Sequence, residues 1–245
     1  RITGVTFGVV TMNLLSHLTR LRGPWHRSLR DERKQMLGEI LGAAHHIART
    51  NPPALRDLVR LLGRKLQSDY LTRAWIRMGD DRVPDLAPEI AWFSSTADLG
   101  SGGTCLDTLK RRLSETRQLN LACDLVMPSP WAKNRMAKCL STIGPGKPLD
   151  AWRQDHNHQI EYWLPWGIGW VSGGNHSLAS GIVQADGFVE PTDIYDVSEV
   201  FKHVEFDGHN FIRTTDRKAL QYAEEFEFAA IFEVGRLMRD YGVSA

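Results

Sequence analysis

Residues 166–181, WGIGWVSGGNHSLASG, constrain the fold more than any other stretch of the chain. A short run of Ile, Trp and Val gives way through two adjacent glycines to a helical pattern in which Leu178, Ala179, Ile182 and Val183 face inward. This is a strand–loop–helix corner. The glycines reach torsions closed to other residues and allow a ligand close to the backbone. The helix that follows has unpaired first amides and the positive end of its dipole at the loop, a geometry that holds phosphate or carboxylate. Ser172, Gly173, Gly174, Asn175 and Ser177 are therefore the candidate phosphate-binding residues. His176, which exchanges a proton near neutral pH, and Asn175, which can orient a ligand, are the candidate catalytic pair. The same letters also suit a tight strand-to-helix turn without a ligand, with Asn175 as cap and His176 as a local hydrogen-bonding group.

Elements on both sides of the corner make the chain α+β. Apolar positions Leu37, Ile40, Leu41, Ala44, Ile47 and Ala48 predict a helix over 29–48. Asn51 as cap, Pro52 in the first turn and the stripe Leu55, Leu58, Val59, Leu62 and Leu66 predict a second. Arg56, Arg60 and Arg64 share one face of it, as solvated surface or as a phosphate-binding stripe. Residues 79–103, rich in Gly, Pro, Asp and Ser, read as a linker or lid. Thr104 and Asp107 resemble a capping box that opens a helix through Leu106, Leu109 and Leu113. A buried strand over 119–130, a short helix over 131–142, and a hairpin-like pair of strands plus a third short strand around Trp163, Trp166 and Trp170 follow. Strands are expected at 200–206 and 210–213, turning at Asp207 and Gly208, and a long amphipathic helix over 217–241. The expected division is a helical amino-terminal subdomain and linker (1–103) and a small mixed-sheet domain with a long carboxy-terminal helix (104–245).

Composition narrows the setting. The net charge of +1 conceals 13 Lys/Arg against 5 Asp/Glu in residues 1–73, and 6 against 13 in residues 186–245. The basic third either attracts nucleic acid or docks on the protein's own acidic end. Cys105, Cys123 and Cys139 show no CxxC spacing, which fits buried thiols in a reducing, cytoplasmic setting. No apolar run approaches the roughly 18–20 residues of a membrane span. Residues 1–20 lack the charged start and cleavage site of a signal peptide.

The corner and its surroundings resemble the ParB/sulfiredoxin superfamily. SGGNHSLASG is similar to its signature loop, which leads into a helix that holds nucleotide phosphates, and Gly173, Gly174 and His176 match the sulfiredoxin pattern position by position. The order of elements over 119–185, from LACDLVMPSPW through Gly-Lys-Pro-Leu to the hairpin, is also similar. Asn175 stands where sulfiredoxin has its redox cysteine, which excludes sulfinic-acid reduction, and Ser177 replaces a phosphate-neutralising arginine. The resemblance is closest in character to Osa-type plasmid fertility inhibition factors. It implies a ParB/sulfiredoxin fold and phosphate chemistry, either nucleotide hydrolysis or Mg²⁺-dependent DNA cleavage, acting to inhibit conjugative DNA transfer. ATP or another nucleotide with Mg²⁺ is the implied cofactor. Nucleotide, DNA or a component of a type IV secretion or conjugation machine is the implied partner. Two rival readings are a catalytically inactive inhibitor or adaptor that binds a protein of such a machine, and an antibacterial DNase toxin.

Other candidates are weaker. Asp155-His156-Asn157-His158 puts two histidines on one side of a strand or at a hairpin tip, without further zinc ligands. Glu161 and Asp186 are candidate Mg²⁺ carboxylates. His45 and His46 read as helix surface or packing, and Glu224, Glu225 and Glu227 as partners of a helix dipole.

Overall fold

The computed structural model describes residues 29–76, 86–100 and 102–244. The leader-free reading of residues 1–20 and the first part of the expected linker lie outside them. Helix α1 (Leu29–Thr50) and helix α2 (Leu55–Ile76) are joined by a 3-10 turn at Pro52–Ala54. Asn51 makes no side-chain cap; the Leu55 amide instead closes the turn on the carbonyls of Pro52 and Pro53. Helices α3 (Pro88–Ala91) and α4 (Leu106–Leu109) are single turns. The capping box of α4 sits one residue later than expected: Cys105 is the cap, and its amide donates to Thr108 Oγ1 at 3.0 Å.

The expected helix through Leu113 ends at Leu109, because Arg111–Leu113 is extended as strand β1. Arg111 and Arg112 pair across it with Asp196 and Asp193. The single strand expected over 119–130 is broken. Asp124 folds back to accept the Asn120 amide at 2.7 Å, leaving β2 (Leu119–Asn120) and β3 (Leu125–Met127). Helix α5 (Lys133–Thr142) precedes the hairpin of β4 (Gln159–Leu164) and β5 (Ile168–Gly173), with no third strand beside them in 148–158. Helix α6 (Asn175–Gln184), β6 (Phe188–Val189) and β7 (Asp193–Asp196) follow. A 3-10 turn at Ser198–Lys202 shortens the strand expected at 200–206 to β8 (Val204–Phe206), and the chain then turns at Asp207 and Gly208 into β9 (Asn210–Arg213). The last expected helix loses its first turns to β10 (Ala219–Tyr222) and begins as α7 (Phe226–Asp240).

The architecture is α+β. The main sheet has the order β1-β7-β4-β5-β3 and is mixed: β4 runs antiparallel to β5 and parallel to β7, and β3 runs parallel to β5. A three-stranded meander, β10-β9-β8, and the β2-β6 pair complete it. Side chains alternate between two buried faces of the sheet. One face carries Trp163, Ile168 and Trp170 and packs on the helices; the other carries Ile160, Tyr162 and Val171 and packs on α6 and Trp152. The first core runs from Leu37 and Ala44 through Leu66 and Trp92 to Met238, so residues on both sides of the 103/104 boundary share it.

Residues 86–100 are a plug rather than a lid. Trp92 and Phe93 are fully buried. Trp92 lies 4.3 Å from Trp166, 5.4 Å from Trp170 and 5.8 Å from Trp163 between ring centroids, and its indole donates to Phe228 O at 3.1 Å. Burying one large apolar side chain contributes about 1.5–3 kcal/mol, so this cluster outweighs the surface polar contacts nearby.

Basic residues of α1 and α2 meet the acidic carboxy-terminal part of the chain. Arg30 pairs with Asp207 at 3.0 Å, Lys65 with Glu227 at 3.0 Å, and Arg73 with Glu225. Arg33 is buried, donates to Ala223 O at 2.6 Å and lies 5.0 Å over the Tyr222 ring. The described part of the basic third, residues 29–73, thus docks on the acidic end. Exposed pairs contribute about 0–1 kcal/mol each; Lys65 and Arg73 tie α2 to the start of α7, and Arg30 ties α1 to the β8–β9 turn.

Candidate functional site

The corner forms where expected, with β5 ending at Gly173 and α6 starting at Asn175. Gly174 caps the helix in the left-handed region at φ 78°, so the cap position has no side chain and Asn175 does not cap. Asn175 turns sideways instead, and its Oδ1 accepts the Ser129 amide at 2.7 Å. His176 Nε2 accepts the Ala132 amide at 3.2 Å, which leaves Nδ1 to carry the proton of the neutral ring. The His176 ring sits edge-on to Trp131 at 4.4 Å. Burial, and then the Arg135 guanidinium, lower its pKa from the usual histidine value. Ser177 is engaged as well: Trp152 Nε1 donates to both its carbonyl and its hydroxyl oxygen at 3.0 Å. Ser172 is exposed.

Both glycines are required by the protein's own chain. A Cβ on Gly173 would meet Asn157 O at 2.5 Å, and one on Gly174 would overlap the His158 ring and lie 3.2 Å from His158 Cα. The turn 155–158 therefore packs directly on the Cα positions of the two glycines. His158 is buried against Trp152, at 4.9 Å between centroids, and its Nδ1 accepts the Asp155 amide at 2.8 Å; His156 is exposed. The two histidines are thus in a turn before β4 and do not converge.

The candidate Mg²⁺ carboxylates are on opposite faces of the sheet. Glu161 accepts from Trp163 Nε1 at 3.0 Å on one face, whereas Asp186 accepts the Trp152 amide at 2.9 Å on the other. Among the described residues no three His, Cys, Asp or Glu side chains gather to hold a metal. His45 and His46 are exposed on α1. Glu225 and Glu227 serve as partners of Arg73 and Lys65, beyond any dipole role.

The arginine face of α2 is turned inward rather than left as a free stripe. Arg60 reaches Asp124 at 2.9 Å, Arg64 donates to Ala122 O at 3.0 Å, and Arg56 donates to Ser244 O. Arg117 and Tyr162 stand beside Arg56 and Arg60 around one cavity. The sequence singles out neither: Arg117 lies between two short strands, and Tyr162 is one of two adjacent aromatics in β4. Trp131 and Trp152, which pin the corner, are equally unmarked, because their roles depend on contacts with segments 25–45 residues away.

The chain belongs to a family of unknown function (DUF6710), whose model matches residues 26–245. No curated protein and no solved structure matches the chain. Among the described residues no helix is long and apolar enough to cross a membrane.

Proposed function

We propose that this member of DUF6710 is a binding protein for a phosphate-bearing ligand, a nucleotide or DNA, and that it does not hydrolyse the ligand through its glycine corner. The observation that carries this reading is the engagement of Asn175 and His176 by the amides of Ser129 and Ala132. A general base must offer its lone pair to the proton it removes. Here the Nε2 lone pair of His176 already holds the loop, and the 129–132 segment would have to leave before Nε2 could act. The phosphate preference follows from the ParB/sulfiredoxin resemblance. Its Osa-type branch suggests a role in restraining conjugative DNA transfer, in which binding itself inhibits.

The test measures binding and turnover on one sample. Labelled single- and double-stranded DNA and ATP are titrated against the full chain with Mg²⁺, and release of phosphate and of DNA fragments is followed. The expected outcome is saturable, salt-sensitive binding without turnover. Hydrolysis of ATP or DNA that is abolished by His176→Ala would restore the catalytic reading, with ATP–Mg²⁺ as substrate or cofactor, and sink this one.

A further inference from the structure

We infer that the phosphate is held at a pocket on the far end of the sheet, by Arg56, Arg60, Arg117 and Tyr162, with the nucleoside lying in the neighbouring cavity. This rests on the phosphate-binding reading above and gives it a place and a ligand size.

The pocket holds about 180 Å³ and lies between α2, the β1–β2 connection and the β4–β5 turn. Three arginines line it against one carboxylate, Asp124. Asp124 is already committed: it pairs with Arg60 at 2.9 Å and accepts the Asn120 amide at 2.7 Å. Arg117 pairs with Glu115 at 3.1 Å and lies 5.7 Å over the Tyr162 ring. Arg56 differs from both. Its hydrogen bond goes to a neutral carbonyl, Ser244 O, and its Nε is buried without a partner. A buried guanidinium N–H without an acceptor is unfavourable, and an anion seated against Arg56 would relieve it. The Tyr162 phenol, whose pKa burial raises, stays protonated and remains a donor at neutral pH. A guanidinium fork pairs with two oxygens of a tetrahedral phosphate, and a phenol O–H donates to a third.

The volume selects the size of the anion. Ligand sites for whole small molecules measure about 300–1,000 Å³, so this pocket takes a phosphate or pyrophosphate group and little more. A second cavity of about 500 Å³ shares Arg117 with it and is lined by the apolar Leu113, Leu164, Pro165 and Val243, together with Arg111 and Arg239 and the carboxylates Glu115 and Asp196. The apolar side chains of this cavity suit a base, and Arg117, which lines both cavities, would lie between base and phosphate. The ligand class is a nucleoside mono- or diphosphate.

The probes are ADP and inorganic pyrophosphate, titrated calorimetrically against the full chain at low and high salt. Arg56→Gln and Arg117→Gln are each expected to weaken both probes about tenfold or more, as loss of a charged hydrogen bond does. Tyr162→Phe, which keeps the ring's packing, is expected to weaken them several-fold, and Lys133→Gln on α5 serves as a charge control without effect. Thermal melts of each variant show whether it is folded, and Tyr162→Phe carries the test if an arginine variant is not. Undiminished affinity in Tyr162→Phe and in the folded arginine variants overturns the assignment. If affinity is then lost in Asn175→Ala or His176→Ala, the ligand sits at the corner and the binding reading survives without this pocket. If neither probe binds the wild-type chain, this pocket assignment fails, and the DNA titration described above decides the binding reading.

Discussion

Gly174→Ala separates a corner built for folding from one built for a ligand. Gly174 has φ 78°, and a Cβ there would overlap the buried ring of His158 and come within 3.2 Å of its Cα. Holding alanine in the left-handed region costs about 1–2 kcal/mol. Displacing His158 adds about 1–3 kcal/mol, as extra atoms in a packed interior do. Backbone relaxation relieves part of both, so the expected loss is about 2–4 kcal/mol. For a chain of this size that corresponds to about 5–15 °C in Tm. Urea unfolding followed by tryptophan fluorescence measures it as a lower midpoint at unchanged slope. The double variant with His158→Ala isolates the steric part, and the two substitutions should couple by about 1–2 kcal/mol. A loss within the roughly 0.5 kcal/mol of an ordinary surface substitution, together with impaired nucleotide binding, would refute the reasoning. The glycine would then be serving a ligand rather than His158.

Other perturbations probe the remaining contacts. Gly235→Ala on α7 places a methyl group into the Trp166 indole, which is 2% exposed and fixed by its hydrogen bond to Ile231 O at 2.9 Å; a loss of roughly 3 kcal/mol or failure to fold is expected in denaturant titration. Glu233→Ala strands the buried Phe206 amide, which donates to Glu233 Oε1 at 2.8 Å, and breaks the Arg236 pair at 2.8 Å, so about 3 kcal/mol should be lost in the same assay. His176 gives a pH dependence: its folded pKa lies below 6.5, so the unfolded chain takes up the proton first. Its contribution is complete above about pH 6.5 and declines as pH falls from there to the lowered folded pKa. Urea midpoints against pH should show a decline in the wild type that His176→Gln lacks.

Much of this fold is written in local periodicity. Leu37, Ala44 and Ala48 on α1 and Leu55, Val59 and Leu66 on α2 are buried as their spacing predicts, and the corner falls within one residue of its expected place. What failed depended on distant partners. Arg111–Leu113 continues a helical pattern, yet it is drawn into the sheet edge by Asp193 and Asp196 some 80 residues away. Ala219–Tyr222 likewise leaves the last helix to pair with β9. Residues 86–100 look polar and flexible by composition, but Trp92 and Phe93 anchor them in the core. At the corner, the letters permitted a ligand or a turn. Only the positions of Ser129, Ala132, Trp152 and His158 decide which groups remain free, and none of these four can be read from the corner itself.

The arginine pocket illustrates the same limit and gives it a functional consequence. Its cations come from α2 and from the β1–β2 connection, segments about 60 residues apart that meet only in the folded chain. In the unfolded chain they offer no common site, so an anion that binds there stabilises the fold by RT ln(1 + [L]/Kd). The stabilised contact is the seat of α2 on the sheet, where Arg60 and Arg64 already hold the 120–124 turn. Occupancy would therefore tighten the junction between the basic helices and the sheet. A ligand at the corner would instead compete with the Ser129 and Ala132 amides for Asn175 and His176, loosening the loop as it bound. The two placements thus predict opposite signs for the change in local order on binding. Amide hydrogen exchange distinguishes them: slower exchange in α2 and the 120–124 turn belongs to the pocket, and faster exchange at 129–132 belongs to the corner.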